Sequence, residues 1–417
     1  MKINSWIEVP ENSDFPLQNI PFGIAKVGQL ISPATRIGDS VILLSALADY
    51  GYFDELNIDD LSVFYQDVLN DLIALPKSCT ISIREHLMNL FSASCDELKQ
   101  DTEACTQAIF NINQVEMLLP VQIGDYTDFY SSIEHATNVG VMFRDPANAL
   151  LPNWRHLPVG YHGRSSSIAV SGTNIHRPKG QTRPDDNLPP VFGPSKQVDF
   201  ELEMGFITST STNLGDSISV EEAENHIFGL LLFNDLSARD IQRWEYVPLG
   251  PFLSKSFGSI VSPWIVTLEA LEPFRVESPK QEPEVFEYLQ SSGKRNFDIE
   301  LEVFLQAENG SENLICKSNT KYLYWNIAQQ LAHQTVAGCN INPGDFYASG
   351  TISGPTPDSF GSMLELCWKG TKPITLSDGS QRKFAEDNDT LIIRGFTRKN
   401  GLRIGFGECV TKILPTK

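Results

Sequence analysis

Apolar and polar positions follow different patterns in the first 120 residues and in the remainder of the chain. In the first part, runs at 23–27 and 29–31 are typical of short strands, and segments with apolar residues at helical spacing follow them. Three helices are predicted there: one opened by Asp39 or Ser40 and carrying Val41, Leu44 and Leu47, one opened by Asp59 or Asp60 and stopped by Pro76, and one around 82–92. This part is interpreted as a separate module with a structural or oligomeric role.

From about Val115 onwards the pattern changes to short strands, glycine-rich turns and dense aromatic residues. The run LLLFND has the continuous apolar character of a buried strand that ends at Asp235. Four further elements are predicted from local patterns: a short helix from Ser219 to about Phe228, a helix opening at Asn319 or Thr320, a strand SMLELCW at 362–368, and a polar arm or insertion at 274–297.

The stretch VDFELEMGF, at 198–206, concentrates the acidic chemistry of the chain. As a strand it places Asp199, Glu201 and Glu203 on one face and apolar residues on the other. Carboxylates on one face repel each other, and this is tolerated when the face is solvated or when a hard divalent cation binds between them. The stretch alone favours the solvated face and leaves the metal site as the alternative.

Composition and charge narrow the class of protein. The chain has 417 residues and a formal net charge of −20, from 52 Asp and Glu against 32 Lys and Arg. An acidic chain argues against nucleic acid or an anionic membrane as a partner. Its N-terminus lacks an apolar signal sequence, and no run of about 18 apolar residues occurs. Seven scattered cysteines without a CxxC pair indicate a reduced, soluble, cytoplasmic enzyme.

Four side chains elsewhere are candidates for chemistry, each with a simpler alternative. His135 lies among small polar residues and is either a catalytic base or an ordinary histidine. Asp235 ends a buried strand and either serves a site or caps the next element. Lys255 stands among apolar and small residues, where it needs a charged partner unless it is a solvated turn lysine. Glu365 is predicted to face inward and to need a partner, for which a histidine is suited.

The order and wording of several motifs carry more information than any single spacing. YTDFYSS followed by HATNVG, LPVGYHGR, DFELEMG, FNDLSARDIQ, WEYVPLGPFLSKSFG, SGTISG and the closing GFGEC together resemble the fumarylacetoacetate hydrolase family. The resemblance covers about 120–417, and the N-terminal module matches the longer, eukaryotic-type members. It implies a mainly β, α+β fold, with a small SH3-like barrel that contains helices over 1–118 and a larger mixed β-roll catalytic domain over 119–417.

The resemblance also implies a set of site residues. Ligands of a divalent cation, Ca²⁺ or Mg²⁺, are matched by Asp128, Glu201, Glu203 and Asp235, and a second, magnesium-like position is matched by Lys255 and Ser259. The general base is matched by His135, which Glu365 orients, with Lys255 and Gln242 as further catalytic residues. Contacts to substrate are matched by Tyr130, Arg144, Tyr161, Arg239, Gln242, Tyr246 and Thr351.

The activity implied is hydrolysis of the carbon–carbon bond of fumarylacetoacetate to fumarate and acetoacetate, the last step of tyrosine and phenylalanine degradation. The substrate is a dicarboxylic β-diketone, and the protein is expected to be a cytoplasmic homodimer. One alternative is an acylpyruvate hydrolase or related enzyme that acts on another β-diketo acid. A second is a non-enzymatic metal- or metabolite-binding protein, which would not require His135 and Lys255 beside the carboxylates.

Overall fold

The N-terminal module is built on one antiparallel sheet. The computed structural model describes residues 4–417, and this part of the chain has five strands in the first module: β1 (Phe22–Val27), β2 (Leu30–Ile37), β3 (Ser40–Leu43), β4 (Ile109–Asn111) and β5 (Glu116–Leu118). Their order in the sheet is β4-β3-β2-β1-β5. The two predicted strands are therefore confirmed, and β3 occupies the start of the first predicted helix.

Helices fill the connection between β3 and β4. They are α1 (Leu44–Asp49), α2 (Asn70–Ile73), α3 (Lys77–Leu90), α4 (Glu97–Gln100) and α5 (Thr102–Ala108). The first predicted helix was wrong at Ser40–Leu43. These residues form strand β3, because pairing with β2 satisfies their backbone N–H and C=O groups. The second predicted helix is two pieces, a 3₁₀ turn capped by Asp60 and then α2. The third is confirmed and is longer than expected.

The rest of the chain contributes most of the strands. The first twelve are β6 (Tyr126–Phe129), β7 (Gly160–His162), β8 (Ile168–Val170), β9 (Ile175–His176), β10 (Lys179–Thr182), β11 (Val191–Pro194), β12 (Val198–Asp199), β13 (Leu202–Thr208), β14 (Ile227–Asn234), β15 (Ser237–Ala238), β16 (Ser259–Val261) and β17 (Val266–Thr267). The others are β18 (Arg275–Val276), β19 (Asn296–Phe297), β20 (Glu300–Gln306), β21 (Glu312–Asn319), β22 (Phe346–Ala348), β23 (Ile374–Thr375), β24 (Gln381–Arg382), β25 (Thr390–Lys399) and β26 (Leu402–Leu414).

Two large sheets organise these strands. The central sheet has the order β7-β6-β22-β13-β14-β16-β8, with β17 also paired to β14, and the second has the order β21-β20-β25-β26-β9. Five helices accompany them: α6 (Ile133–Phe143), α7 (Arg239–Glu245), α8 (Leu268–Leu271), α9 (Ile327–Thr335) and α10 (Met363–Leu366). The expected mainly β, α+β fold class is confirmed. No helix within residues 4–417 combines the length and the apolar character that crossing a membrane requires.

The predicted buried strand lies at the centre of the molecule. Every residue of β14 is buried, and its side chains alternate between two hydrophobic cores. Leu230 and Leu232 belong to the core shared with the second sheet, whereas Leu231 and Phe233 belong to the core shared with the N-terminal module. A strand covered on both faces needs apolar residues at every position, which is the reason for the unbroken run.

The acidic stretch is also buried, so the solvated-face interpretation was wrong. It forms two strands, β12 and β13, interrupted at Phe200 and Glu201. Asp199, Glu201 and Glu203 are each at most 6% exposed. Their side chains therefore need partners inside the protein.

The prediction of a strand at 362–368 was wrong, and the stretch 274–297, predicted as an arm or insertion, packs against the rest of the protein. The segment SMLELCW forms the short helix α10, because the Ser362 side chain accepts a hydrogen bond from the Glu365 amide and caps it. The stretch 274–297 is not a free arm: Leu289 is fully buried, and it shares a small core with Trp154 and Trp325. The predicted helix after Asn319 is two separate pieces, a 3₁₀ turn at Thr320–Tyr322 and then α9, with residues 323–326 non-helical between them.

Candidate active site

Four carboxylates converge at one end of the central sheet. Asp128 lies in β6, Glu203 lies in β13, and Glu201 and Asp235 lie directly before β13 and directly after β14. The antiparallel pairing of β13 with β14 brings those two junctions together, and the Asp235 amide donates to the Glu201 carbonyl at 3.3 Å. One carboxylate oxygen from each residue lies within 4.8 Å of the others. The backbone therefore builds the cluster that the sequence predicted.

One lysine supplies the nearest counter-charge. Lys255 Nζ donates to Glu201 Oε2 and to Asp235 Oδ2, each at 2.6 Å. Asp235 also accepts from the hydroxyl of Ser259 at 2.7 Å and from that of Tyr161 at 3.3 Å. Burial acts to lower the pKa of Lys255, but the two carboxylates outweigh it and the pKa is raised. Lys255 is therefore an ammonium, which contributes charge and hydrogen bonds rather than a lone pair.

The carboxylates do not ionise equally well. Burial, followed by the charge of Asp235, raises the pKa of Asp128 well above its usual range. Burial and the charge of Asp128 have the same effect on the pKa of Glu203. Burial also opposes ionisation of Glu201, but neighbouring cations, with Lys255 first, outweigh it and lower its pKa. The cluster therefore has more carboxylates than side-chain cations to neutralise them.

The cluster fits a hard divalent cation. Oδ1 of Asp128 and Oε1 of Glu203 are buried and have no hydrogen-bond partner within residues 4–417. Burying such an oxygen without a partner is costly, and carboxylate oxygens are the ligands that Ca²⁺ and Mg²⁺ prefer. The other oxygen of Glu203 accepts from the Gly350 amide at 2.9 Å. A bound cation would satisfy the two orphaned oxygens and offset the excess negative charge.

A histidine–carboxylate pair stands next to this cluster. His135 lies in the first turn of α6 and Glu365 lies in α10, and His135 Nδ1 is 2.6 Å from Glu365 Oε2. A carboxylate only accepts, so Nδ1 carries the proton and Nε2 keeps a free lone pair. A positive charge on His135 would lower the pKa of Glu201, so the pair lies close enough to the cluster to interact with it electrostatically.

Three residues that the sequence analysis missed hold Glu365 in place. Asn138 Nδ2 donates to Oε1 at 2.9 Å, the Ser353 hydroxyl lies 3.0 Å and 2.9 Å from the two oxygens, and the Ser362 hydroxyl donates to Oε2 at 2.8 Å. Burial acts to raise the pKa of Glu365, but His135, followed by the hydrogen bonds from Asn138 and Ser362, outweighs it and lowers the pKa. Asn138 could have been found, because it follows His135 by three positions on one helix.

Several of the predicted substrate contacts line the same region. The ring of Tyr130 meets the His135 ring edge-on at 5.2 Å between centroids, and burial raises the pKa of the Tyr130 hydroxyl. The hydroxyl of Thr351 is buried and has no hydrogen-bond partner within residues 4–417. Arg239 Nη1 lies 2.7 Å from Oε1 of Glu201 in the cluster. These residues, together with Tyr161, are brought together as predicted.

Two predicted contacts lie on exposed parts of the surface. Arg144 ends α6 and donates to the Ala149 carbonyl at 2.6 Å, and its charge is near enough to oppose the rise in the pKa of Tyr130. Tyr246 ends α7 and is 50% exposed. Within residues 4–417, neither side chain forms a hydrogen bond with the carboxylate cluster.

Comparison with known proteins identifies relatives over almost the whole chain. Residues 126–414 match the profile of the family "Fumarylacetoacetate (FAA) hydrolase C-terminal", and residues 18–120 match "Fumarylacetoacetase N-terminal". The chain is 52% identical to the fumarylacetoacetase of Dictyostelium discoideum, over 99% of this chain and 98% of the relative. It is 52% identical to that of Homo sapiens, over 99% of each chain.

The fold has relatives among solved structures as well. A fumarylacetoacetate hydrolase from the psychrophile Exiguobacterium antarcticum superposes with a TM-score of 0.53 at 16% identity, covering 95% of this chain and 99% of that one. At that identity the superposition supports the fold alone. With both profiles matched in order and the named relatives half identical over almost their whole length, the chain belongs to the fumarylacetoacetase family.

Proposed function

We propose that this protein is a hydrolase that cleaves the carbon–carbon bond of fumarylacetoacetate, giving fumarate and acetoacetate. The observation that carries the proposal is the buried pair of His135 and Glu365 beside a cluster of four buried carboxylates. A metabolite-binding protein would have no use for a base held in this way. The named relatives are fumarylacetoacetases. We assign the reaction in this protein to the last step of tyrosine and phenylalanine degradation.

The proton chemistry is assigned to His135. Because Nδ1 is bound to Glu365, Nε2 is the atom that takes a proton from the attacking water. The hydrogen bonds from Asn138, Ser353 and Ser362 keep Glu365 ionised, so it stabilises the imidazolium that forms. The same histidine can then return its proton to the leaving group.

A divalent cation is assigned to Asp128, Glu201, Glu203 and Asp235, with calcium and magnesium as the candidates and Lys255 and Ser259 beside a second, magnesium-like position. When bound, it would supply a Lewis acid for the diketone oxygens. Support comes from the two orphaned oxygens in the cluster and from the excess of carboxylates over side-chain cations.

Expulsion of the carbon leaving group requires charge to be spread onto an enolate oxygen. Lys255 uses two of its three donors on Glu201 and Asp235, so one N–H remains for substrate. Gln242 accepts from Arg239 through Oε1 at 3.1 Å, which leaves its amide N–H groups free to donate. These two side chains are assigned to the developing oxyanion.

Recognition of the substrate is assigned to residues around this centre. Tyr130, Tyr161 and Thr351 offer hydroxyl groups, and Arg239 and Gln242 offer N–H donors. Arg144 and Tyr246 lie on the exposed side, where they can close on a bound carboxylate. Arginine suits a carboxylate because its planar fork can bind both oxygens.

The domain organisation, oligomeric state, location and partners of the protein are part of the same proposal. The chain is divided into an N-terminal domain over 1–118 and a catalytic domain over 119–417. It is a homodimer and it acts in the cytoplasm on a small-molecule substrate, with neither nucleic acid nor membrane as a partner. The family membership and the absence of disulfide bonds among the seven cysteines, all within residues 4–417, are the grounds for these assignments.

The test is a direct assay of cleavage. The purified protein, supplied with Ca²⁺ or Mg²⁺, is mixed with fumarylacetoacetate and, separately, with a short acylpyruvate, and loss of diketone absorbance is followed together with release of fumarate. We expect rapid equimolar formation of fumarate and acetoacetate, with the acylpyruvate cleaved much more slowly. Preference for the acylpyruvate, or binding without turnover, would contradict the proposal.

A further inference from the structure

Asp199 is a buried carboxylate with no role in the chemistry described so far. It ends β12, is fully buried, and accepts three hydrogen bonds. Its Oδ1 accepts from the Met363 amide at 2.7 Å, and its Oδ2 accepts from the Leu364 amide at 3.0 Å and from Arg239 Nε at 2.8 Å. Asp199 therefore binds the first residues of α10 and a buried arginine at the same time.

The arginine connects Asp199 to the carboxylate cluster. Arg239 is only 7% exposed, and its Nη1 lies 2.7 Å from Glu201 Oε1 and 3.1 Å from Gln242 Oε1. Its charge also contributes to the lowered pKa of Glu201. The orientation of the arginine is set by Asp199 at Nε and by the cluster at Nη1. A substitution at Asp199 would therefore change the position of Arg239 and its ion pair with Glu201.

The helix connects Asp199 to the catalytic histidine. α10 is a single turn, Met363–Leu366, so two hydrogen bonds to its first two amides fix most of its position. Glu365 follows directly after those amides and holds His135 at 2.6 Å. A shift of the turn would move Glu365, and with it the His135 ring, and would change the orientation of Nε2 relative to the attacking water.

We propose that Asp199 is a positioning residue, which holds the helix of the general-base pair and the arginine of the carboxylate cluster in one fixed arrangement. The inference rests on the proposed hydrolase function and adds a residue to it. Hydrolysis at one carbonyl requires the base and the oxygens that bind the substrate to be aligned, and a displacement of about 1 Å costs on the order of 100-fold in rate. Asp199 touches no substrate and acts through Glu365 and Arg239.

Stability alone does not account for this pair. A buried ion pair often gives no net stabilisation over apolar residues of similar volume, because desolvation offsets the attraction between the charges. What the carboxylate adds is a set of directional bonds between three elements: β12, α7 and α10. These directional hydrogen bonds are needed to align the residues of the site, not to stabilise the fold.

The chain contains a matched control for this carboxylate. Asp389 is buried, accepts from Arg382 Nε at 2.8 Å and from its Nη2 at 3.0 Å, and accepts from the Glu386 amide at 2.8 Å. Like Asp199 it binds an arginine and backbone N–H, but within residues 4–417 none of its side-chain hydrogen bonds reaches α10 or the carboxylate cluster. Asp389→Asn therefore reports what loss of such a pair does to stability alone.

The experiment compares Asp199→Asn with Asp389→Asn in the metal-loaded protein. Asparagine keeps the volume but cannot accept from Arg239 and both amides together. We expect Asp199→Asn to lower kcat by about 10- to 100-fold with KM changed less than about threefold and bound metal retained. Both variants should lower Tm by a similar amount, but Asp389→Asn should leave kcat within about twofold of wild type.

A double variant tests whether Asp199 acts through the histidine pair. In a Glu365→Gln background, Asp199→Asn should cost less than about a further threefold in kcat, because residues that act as a unit are not additive. If Asp199→Asn fails to fold, Asp199→Glu is measured, and the same loss in kcat is expected because the added methylene displaces α10.

The outcomes separate this inference from the proposed function. Wild-type protein that does not cleave fumarylacetoacetate contradicts the function itself. Active wild type, with an Asp199 variant whose kcat is within twofold of wild type, overturns the positioning role alone. The role is also overturned if the two substitutions multiply in the double variant, or if activity is lost only in proportion to lost metal.

Discussion

At the scale of single residues, the pair of His135 and Glu365 is held by hydrogen bonds from inside the protein. His135 has one nitrogen committed to Glu365 and the other free, and Glu365 has four donors around it. An ionised carboxylate in a buried place is held by its donors, and each donor lost leaves it less able to support an imidazolium. The basicity of His135 therefore depends on how the donors around Glu365 are arranged.

His135→Gln is expected to remove the base and retain the rest of the site. General-base catalysis contributes about 10²- to 10⁴-fold, so kcat should fall by that factor while metal content and substrate affinity remain. The control is His333→Gln, since His333 is a partly buried histidine on α9 that Tyr288 binds through Nδ1 at 3.1 Å. A variant with kcat near wild type would mean that another group activates water.

Arg144→Met tests how so acidic a protein selects an anionic substrate. At a net charge of −20 the long-range field repels the ligand, although salt screens it beyond about 8–10 Å. A charge-assisted contact contributes about 1.5–3 kcal/mol, so KM should rise about 10- to 100-fold, less for a diketone lacking the distal carboxylate. Arg398→Met, on an exposed part of β25, is the control. Equal losses on both substrates would show that Arg144 does not read the carboxylate.

At the scale of elements, the structure brings together most of the residues that were predicted for a site, while some of the elements that carry them differ from the prediction. The run LLLFND identified β14 because a strand buried on both faces needs apolar residues throughout. The acidic stretch was ambiguous, because alternating acidic and apolar residues fit a solvated strand face as well as a binding site. Whether the acidic face is buried depends on the layers that pack on it, which the local sequence does not show. Glu365 was predicted to face inward, but its element was wrong, since one helical turn is too short to give a helical period.

The connection after α6 offers a test at this scale. In a helix, Gly→Ala normally stabilises by about 1 kcal/mol. At Gly140, however, a Cβ would lie 2.0 Å from the Ala149 carbonyl oxygen, so 144–149 must move. Overpacking costs about 1–3 kcal/mol, which outweighs the helical gain.

Gly140→Ala should therefore lower Tm and raise KM, because Arg144 is displaced, while kcat changes little. The control is Gly193→Ala on β11, where a Cβ meets nothing within 4 Å. A more stable Gly140→Ala protein with unchanged KM would show that the helix and the connection are not in close contact.

At the scale of the whole molecule, the site sits where three layers meet. The N-terminal module covers one face of the central sheet, the second sheet covers the other, and the carboxylates collect at one end of the strands between them. The cluster forms only when the N-terminal module and the second sheet pack on the central sheet. The free energy of binding a cation there therefore adds to the free energy of unfolding.

A bound cation should therefore stabilise the fold. At a concentration 100 times Kd, a ligand specific for the folded state contributes about 2.7 kcal/mol, which for a chain of this size is about 3 °C in Tm. Ca²⁺ or Mg²⁺ should produce this rise in the wild type and not in Glu203→Gln, while surface Glu116→Gln retains it. An identical rise in Glu203→Gln would locate the cation elsewhere.

The most direct test follows activity and cation occupancy together. The protein is stripped with a chelator, Ca²⁺ or Mg²⁺ is titrated back, and the bound cation and the rate of fumarate release from fumarylacetoacetate are measured at each point. We expect no turnover in the stripped protein and a rate that rises in proportion to occupancy of the cluster of Asp128, Glu201, Glu203 and Asp235. Full turnover by protein that holds no cation would contradict a metal-dependent hydrolase.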